Sequence, residues 1–419
     1  METGLEKARS LLGSRHLQRP QVIPPLEHPL EFPFPIPEEV QNIRRVADLP
    51  ENLKKLLTEL NVAPQVWGFA TGLAKKGPLP PFESSRRSYF QKLGLEIYPM
   101  KEALVRQERA SALAFSLWPD NPLANFQRNH WESGAFVRFS GGVKLPDQSV
   151  CTYCLIEKAI TPVTHSVVIF EKDSEGTVVL GSTSPKVVRA PYYLPGVEIF
   201  LRENARGTVV LLHSFPPYLE SRPIVRARVA ANAHLELLVV TLFPGKTLGR
   251  DIEVVVDGRE GKAVVEMSSC SKDQNFSAND VRIVLDAPKT RAEIKTRGLS
   301  TEQGRQVSVV SIETTEQAVK SEGHLEAMGL LQSREASYEV IPGLISRVDD
   351  VFLDHEAFIG KILEEVVFYL KTRGFSEQEA MFLLIRSHLE PIVRYLPEPL
   401  RWEVLKIAEM VVNGRGREW

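Results

Sequence analysis

The stretch HLELLVVTLFPGKTLGRDIEVVVDGREGKAVVEMSS, His234–Ser269, decides the fold class of this chain. It contains short segments that are either apolar throughout or alternate apolar with polar residues, separated by turns rich in Gly, Asp and Lys. Strict alternation is the pattern of a half-buried strand, and a short apolar run bounded by turns is the pattern of a fully buried one. The stretch therefore predicts successive strands with no helix between them.

The same pattern extends from about Trp131 to Gly360, roughly half of the 419 residues. Two architectures fit such a run: a β-sandwich with many hairpins, or a β-helix whose coils stack short strands into parallel sheets. Asn-Gly and Asp-Gly hairpin turns are nearly absent, and the main exception is at Asp257 and Gly258. The scarcity of hairpin turns favours a parallel β-helix over residues 131–360, although no clean repeat period is visible.

Helical patterns flank this core on both sides. Residues 1–130 are predicted to be mostly helical, as in PMKEALVRQERASALAFSL, with an extended proline-rich strap, RPQVIPPLEHPLEFPFPIPEEV. Residues 361–419 return to a helical period, with Gly374 as a helix stop and Ser376 with Glu379 as a capping box. The expected architecture is thus mainly β, with an N-terminal helical region and a C-terminal helical bundle.

Composition argues against several function classes. The 51 basic and 53 acidic residues are interspersed, without a basic block that would follow a phosphate backbone, so we expect no nucleic acid partner. No apolar run reaches the roughly 18 residues of a membrane span, and the charged start METGLEKARS lacks a signal-peptide core. We therefore expect a cytoplasmic protein with no membrane partner. The three cysteines are too few for a disulfide framework.

Two short motifs resemble functional sites but fit structural roles better. Cys151 and Cys154 form a CTYC motif, but zinc needs four ligands and only one further cysteine is present. Residues three apart on a strand face opposite ways, so we expect buried structural thiols. The GKT triplet at Gly245–Thr247 resembles the end of a phosphate loop, yet Val240 stands where the first glycine belongs and no helix pattern follows. We expect a turn there and no nucleotide binding.

One ionisable pair lies at the junction between the strand region and the C-terminal helices. His355 and Glu356 follow the acidic segment VDDVFLD and precede an apolar turn. They are either a polar cap on the strand stack or metal ligands. The sequence has no GxSxG elbow and no HExxH motif. Its numerous carboxylates leave a carbohydrate-active β-helix enzyme as a less favoured alternative.

The segment VDDVFLDHEAFIGKILEEVVFYLKTRGFSEQEA resembles the C-terminal signature of SufB and SufD, the scaffold proteins of the SUF iron-sulfur cluster assembly system. The shared features are a histidine near the last coils and a following FYxxxRG core, here Phe368, Tyr369, Arg373 and Gly374. The segments NHWESGAFVRFSGGVKLPDQSVCTYCLIEKA, GSTSPK and SYFQKLGLEIYPMKEAL also resemble parts of the family. The resemblance therefore extends from about Ser88 to the C-terminus.

The resemblance implies a right-handed parallel β-helix that pairs with a SufB-type subunit, or with a second copy, and binds a SufC-type ATPase. The ATPase activity would belong to that partner, which makes this chain a non-catalytic scaffold. SufB carries a sulfur-accepting cysteine about thirty residues before its His-Glu pair, and the matching position here is Ala327. This indicates a SufD-like subunit. Glu356 matches SufB instead, so a SufB-type scaffold that bears the cluster is the alternative.

Site residues follow from the same resemblance. His355 is expected to bind iron or an incoming cluster transiently at the partner interface, with Glu356 as a second ligand or as a hydrogen-bonding neighbour. No cofactor is expected to stay tightly bound to the isolated chain. The expected ATPase contacts on the C-terminal helices are Tyr369, Arg373, Phe375, Glu379 and Phe382.

Overall fold

The computed structural model describes residues 21–26, 91–155, 163–183, 192–215, 217–361 and 364–393. The strands are β1 (Leu95–Pro99), β2 (Ala135–Phe139), β3 (Lys144–Leu155), β4 (Val163–Phe170), β5 (Glu175–Thr183), β6 (Tyr192–Leu201), β7 (Arg206–Phe215), β8 (Glu220–Ser221), β9 (Ile224–Val229), β10 (His234–Pro244), β11 (Thr247–Val256), β12 (Lys262–Ser271), β13 (Phe276–Leu285), β14 (Arg291–Ser300), β15 (Arg305–Thr314), β16 (Ser321–Leu331), β17 (Ser337–Ile345) and β18 (Val351–Lys361). The helices are α1 (Met100–Arg106), α2 (Glu108–Leu113), α3 (Pro122–His130), α4 (Glu364–Thr372) and α5 (Glu377–Val393).

The chain alternates between two sheets as it winds. The ten-stranded sheet has the order β1-β2-β4-β6-β8-β11-β13-β15-β17, with β9 beside β6 and β11, and the eight-stranded sheet has the order β3-β5-β7-β10-β12-β14-β16-β18. Neighbouring strands are parallel throughout, except that β1 runs antiparallel to β2. Each coil adds one strand to each sheet. The predicted parallel β-helix with flanking helices is confirmed, and the antiparallel β-sandwich alternative is wrong.

A repeated turn leads from the ten-stranded sheet into the eight-stranded sheet. One residue of each turn has a positive φ, between 55° and 62°, namely Asp173, Asn204, Asn232, Glu260, Lys289 and Lys320. Each donates its backbone N–H to a carbonyl in the turn of the next coil, for example Asn204 to Ala231 at 2.9 Å. Asn and Asp tolerate this left-handed conformation, whereas for Glu and Lys it costs about 1–2 kcal/mol. At Glu260, Lys289 and Lys320, the hydrogen bonds between successive turns therefore outweigh the cost of the left-handed backbone.

Alternate strand positions point into the coil and fill its interior. Valine, isoleucine and leucine side chains dominate this core, and Val265, Ile283 and Ile294 have no exposed surface. Burying such a side chain contributes about 1.5–3 kcal/mol relative to leaving it exposed. The interior thus supplies the hydrophobic stabilisation that each coil cannot obtain alone.

Two aromatic rings fill the first coils, where the paired positions opposite them are glycines. Phe139 and Phe170 stack with their ring centroids 4.8 Å apart. Gly176 and Gly207 face these rings from β5 and β7, where they are paired in register. A Cβ atom on Gly176 would lie 2.2 Å from the Phe139 ring, and one on Gly207 would lie 2.6 Å from the Phe170 ring. The glycines are therefore needed for the close approach of the rings.

At the N-terminal end of the stack, β1 is the edge strand of the ten-stranded sheet. Leu95 and Ile97 of this antiparallel strand are buried in the same interior core. Helices α1 and α2 cover the outer face of the ten-stranded sheet, where Met100 and Ala110 join a buried cluster with Phe136. Residues 1–20 and 27–90 of the predicted helical region lie outside the described residues.

A buried carboxylate fixes the segment that follows α2. Glu198 accepts backbone hydrogen bonds from Phe115 at 2.5 Å and from Leu117 at 2.7 Å. It also contacts Nε2 of His165 at 2.9 Å, and both side chains are almost completely buried. The predicted helical segment is interrupted at Gln107, whose extended backbone separates α1 from α2. The chain therefore crosses the sheet as two short helices and an anchored loop.

Part of the proline-rich strap lies against the β-helix. Arg222, between β8 and β9, is buried and donates hydrogen bonds to the carbonyl oxygens of Pro24 at 3.3 Å and Pro25 at 3.2 Å. A guanidinium only donates hydrogen bonds, and the backbone carbonyls of the strap accept from it. A buried arginine thus holds residues 21–26 in place.

Polar side chains interrupt the apolar interior of the middle coils. Arg250 donates hydrogen bonds to Asn279 and Thr241, each at 2.7 Å, and Asn279 donates in turn to Ser308 at 3.2 Å. Arg250 also donates to Nδ1 of His213 at 3.3 Å. Burial lowers the pKa of Arg250 to about 9. Burial and the Arg250 charge both lower the pKa of His213 far below its usual value, so this imidazole is neutral.

At the C-terminal end of the stack, the last strand of each sheet is an edge strand. Within the described part of the chain, β17 pairs only with β15, and β18 pairs only with β16. Helix α5 packs against β12 and β14 on the outer face of the eight-stranded sheet, with Ala380 buried. The rest of the predicted C-terminal bundle, from residue 394 onward, lies outside the described residues.

We expect Gly207→Ala to lower stability by about 1–3 kcal/mol, because its methyl group would overlap the Phe170 ring and overpacked cores must shift. The measurement is thermal unfolding followed by far-UV circular dichroism. Gly141→Ala is the matched control, since a Cβ atom there meets only the Lys172 carbonyl oxygen, at an ordinary 3.4 Å. An unchanged unfolding temperature for Gly207→Ala would contradict the close packing described above.

Acid should destabilise the protein through His213. The folded state keeps His213 neutral, whereas the unfolded chain takes up a proton below about pH 6.5, so the free energy of unfolding falls as pH decreases below that value. The slope from this one group approaches about 1.4 kcal/mol per pH unit. His213→Gln keeps an acceptor for Arg250 and should unfold with a shallower pH dependence between pH 7.5 and 5. Equal slopes for parent and variant would show that His213 is not responsible.

Candidate functional site

His355 and Glu356 both lie on β18, the edge strand of the eight-stranded sheet. His355 is in register with Leu325 of β16, and Glu356 is in register with Glu326. Successive side chains of a strand point to opposite faces, so His355 lies on the inner face with Leu325, and Glu356 lies on the outer face. Both are exposed, because no further coil covers β18 within the described residues. The structure thus separates the two predicted metal ligands.

On the outer face, Glu356 joins two residues of β16. One ligand atom each from His324, Glu326 and Glu356 lie within 4.8 Å of one another. His324 Nδ1 is 3.0 Å from Asp354 Oδ1. This hydrogen bond occupies Nδ1, so Nε2 is the ring nitrogen that remains for another ligand. Arg297 Nη2 donates to Oε1 of Glu326 at 2.8 Å. The group therefore offers one imidazole and two carboxylates on adjacent strands.

Negative charge accumulates on this outer face. Glu266, Lys295, Glu326 and Glu356 form one row across β12, β14, β16 and β18, since each is in register with the next. Burial of the Lys295 ammonium lowers its pKa, but the hydrogen bond to Glu293 and the surrounding carboxylates leave the pKa raised above its usual value. Carboxylates outnumber cations in this row, so the surface favours a cation.

An open groove of about 320 Å³ adjoins His324 and Asp354. Arg291 and Glu322 line one part of it, and Phe352 lines another. The groove gives solvent, and any small cation in it, access to the outer face of β16 and β18. Access from solvent matters because two of the three side chains, His324 and Glu326, are half-buried, and only Glu356 is exposed.

The inner face beside His355 has no thiol. Ala327, at the position that the resemblance matches to a sulfur acceptor, is 1% exposed and faces the interior. It is in register with Ala357 of β18. Cys270 of β12 is buried, and burial raises its pKa to about 12, so its thiol is an inert structural group. Cys151 and Cys154 lie on β3 at the opposite edge of the sheet.

The predicted ATPase contacts lie on α4, α5 and the turn between them. The Arg373 guanidinium lies 5.1 Å from the centroid of the exposed Tyr369 ring. Ser376 and Glu379 form the predicted capping box: Ser376 N donates to the carboxylate at 2.7 Å, and Glu379 N donates to the hydroxyl at 3.2 Å. The backbone hydrogen bond from Ser376 lowers the pKa of Glu379. Phe375 is 41% exposed, whereas Phe382 is half-buried.

Sequence reasoning missed His324 and Glu326. They stand two apart on β16, and His324 contacts Asp354, which lies 30 residues further along the chain. A visible coil period would have placed HLE of β16 directly beside DHE of β18. Without that period the segments appear unrelated. The predicted turn at Gly245 is confirmed, because it links β10 to β11 with no helix after it.

No helix among the described residues combines the length and the apolar character that crossing a membrane would need. Two aromatic residues of α4 are exposed, Phe368 at 68% and Tyr369 at 54%.

Comparison with known proteins agrees with the geometry of the fold. The family described as SUF system FeS cluster assembly, SufBD core domain, matches residues 155–388. An iron-sulfur cluster assembly SufBD family protein of Pyrococcus horikoshii is 30% identical over 390 residues, which cover 90% of this chain and 84% of that protein. Another from Archaeoglobus fulgidus is 30% identical over 279 residues, which cover 66% and 74%.

A more distant SufBD family protein, from Staphylococcus epidermidis, is 21% identical over 371 residues, which cover 88% of this chain and 79% of that protein. The family match includes β4 to β18, α4 and the first part of α5, so it contains both faces of the open end. The resemblance inferred from the sequence is confirmed at the level of the family. This chain belongs to the SufBD family of iron-sulfur cluster assembly proteins.

Proposed function

We propose that this chain is a SufD-like scaffold subunit, which pairs with a SufB-type subunit, binds a SufC-type ATPase and supports iron acquisition and cluster assembly without catalysis of its own. The observation that carries the SufD-like assignment is Ala327. A methyl group enclosed in the coil can neither accept sulfur nor bind iron. The cytoplasm is the proposed location. A SufB-type role is the second candidate, favoured by Glu356 after His355.

The proposed pairing surface is the open C-terminal end of the β-helix, and the proposed occupant is a second β-helix of the same family. β18 is 11 residues long and has one unpaired side within the described residues. Phe352 and Phe358 are 66% and 62% exposed on this strand. A long edge strand with exposed aromatic residues invites strand addition, and natural proteins rarely leave such an edge uncovered. A partner edge strand satisfies the backbone groups and covers the rings.

The proposed ATPase surface is the α4–α5 pair. Phe368, Tyr369 and Phe375 are exposed in one short segment, and Arg373 lies over the Tyr369 ring. Aromatic residues and arginine are enriched at the centres of protein interfaces. The capping box fixes the start of α5, so these side chains keep a defined orientation. Phe382 supports the surface from a half-buried position.

His355 is the proposed iron or cluster ligand on the inner face of the open end. Its imidazole is exposed there, and a partner that docks on β18 would lie directly opposite. Imidazole is a suitable ligand for iron, and the partner subunit would supply the thiolate that Ala327 lacks. The ligand set is then complete only in the paired complex, which is consistent with transient binding.

The two surfaces should respond to different substitutions. Phe352→Ala with Phe358→Ala should weaken binding to the SufB-type partner at least tenfold and leave ATPase binding unchanged, because only the edge strand is altered. Tyr369→Ala with Phe375→Ala should have the opposite effect. Pull-down titrations with each purified partner measure both affinities, and far-UV circular dichroism checks the fold.

Each double variant is the matched control for the other, since both remove two exposed aromatic rings. The pairing proposal fails if the β18 variant binds the partner subunit as tightly as the parent. The ATPase proposal fails in the same way for the α4–α5 variant. Loss of both interactions in either variant would indicate a damaged fold and would be visible in its circular dichroism spectrum.

His355→Ala should lower the yield of iron and sulfide several-fold in the complex reconstituted with both partners. Complex assembly and ATPase rate should remain close to those of the parent, because the residue is separate from α4 and α5. Anaerobic reconstitution followed by iron and sulfide analysis gives the yield, and size-exclusion chromatography gives the assembly state. His130→Ala on α3 is the control. A normal yield for His355→Ala would leave this residue as a polar cap.

A further inference from the structure

We propose that His324, Glu326 and Glu356 form a divalent-cation site on the outer face of β16 and β18, which loads ferrous iron onto this chain. The site is distinct from His355, which lies on the inner face of the same edge strand. The choice of iron as the cargo rests on the proposed function, whereas the site itself rests on geometry and charge. Glu356 was predicted from the sequence as a metal ligand together with His355, whereas His324 and Glu326 were not.

The parallel register creates the site. Glu326 and Glu356 are directly opposite each other on adjacent strands, and His324 is two positions before Glu326 on the same face. The three ligand atoms already lie within 4.8 Å of one another. Glu356 is exposed, so its side chain has room to change rotamer towards the other two ligands.

The His324 ring is held by a carboxylate on the next strand. Asp354 contacts Nδ1 of His324 at 3.0 Å, and in a neutral imidazole that donates from Nδ1 it is Nε2 that can bind a metal. A carboxylate behind a metal-binding histidine fixes the ring and raises its basicity. Asp354 stands directly opposite His324 in register, as Glu356 stands opposite Glu326. The ligand and its supporting group therefore come from the same two strands.

Charge gives an independent reason for a cation. Like charges directly opposite each other on neighbouring strands destabilise a sheet. Arg297 pairs with Oε1 of Glu326 and lies 3.9 Å from Oε1 of Glu266, whereas Glu356 makes no ion pair with any described residue. A divalent ion between the two carboxylates replaces their repulsion by attraction to both. The Glu326–Glu356 pair is therefore more stable with a cation bound between the two carboxylates than without one.

The donor set determines which cations fit. Two carboxylates and one imidazole with open positions for water suit ferrous iron and also manganese, whereas soft ions prefer thiolates. Three protein ligands at an exposed edge leave the ion exchangeable. A loading site of this kind holds iron on the scaffold without retaining it permanently.

The test uses the full-length chain without partners, titrated anaerobically with ferrous iron by equilibrium dialysis. Manganese binding followed by electron paramagnetic resonance is the second readout. His324→Ala, Glu326→Gln and Glu356→Gln should each weaken binding of both ions at least tenfold. The matched control is Glu322→Gln, which removes another outer-face carboxylate of β16. It should bind both ions within twofold of the parent.

Parental affinity in Glu356→Gln would overturn the site, and so would an equal loss in Glu322→Gln, which would indicate only diffuse attraction to an acidic surface. Glu356 is exposed on an edge strand, so its variant carries the test if His324→Ala or Glu326→Gln fails to fold. Glu356→Lys adds a further measurement: it should abolish metal binding and raise the unfolding temperature, because it replaces the repulsive pair with an attractive one. A lower unfolding temperature would contradict the charge argument.

The outcome can be separated from that of the proposed function. If the chain binds iron at these three residues but does not associate with the ATPase or a SufB-type subunit, the proposed function fails and the site stands. If both complexes form while the three variants bind iron like the parent, the site fails and the proposed function stands.

Discussion

The hydrogen-bond ladder between successive parallel coils is the interaction on which the rest of this structure depends. Where parallel strands pair without a bulge, each residue lies beside the one that occupies the same position in the next coil. Arg250 meets Asn279, and Asn279 meets Ser308, each 29 residues further along the chain. Polar groups that would be costly to bury singly thus satisfy one another along the axis of the coil.

The same ladder divides the chemistry of the open end between two faces. On the outer face, His324, Glu326, Asp354 and Glu356 occupy a block of two strands by two positions. On the inner face, the residues between them are mostly apolar, with Ala327 enclosed and His355 exposed. A slip of one residue would exchange the two sets, because the period of a strand is two. The register therefore determines which residues of β16 and β18 lie on the outer face and which lie on the inner face.

The sequence was sufficient to predict the fold class. It was not sufficient to predict which residues lie side by side on adjacent strands. Alternating segments and scarce hairpin turns indicated a parallel β-helix. The family resemblance singled out His355 as a candidate ligand. The coil period stayed hidden because the repeated turn accepts Asp, Asn, Glu or Lys at its left-handed position, and because the number of residues per coil varies. His324 and Glu326 could not be assigned without that period. Their proximity to Glu356 is a property of register, which local propensity does not encode.

The two ends of the stack are unlike, and this has a consequence for assembly. Within the described residues, the edge strands at one end are β1, which is antiparallel to its neighbour, and β3, and those at the other end are β17 and β18. Head-to-tail stacking of copies would require the two ends to be complementary, and a repeating heterologous contact of that kind produces filaments. Two open ends that meet about a twofold or pseudo-twofold axis leave no further free edge of the same kind. The reversed first strand thus makes the N-terminal edge of the ten-stranded sheet unlike its C-terminal edge, which disfavours head-to-tail stacking of copies.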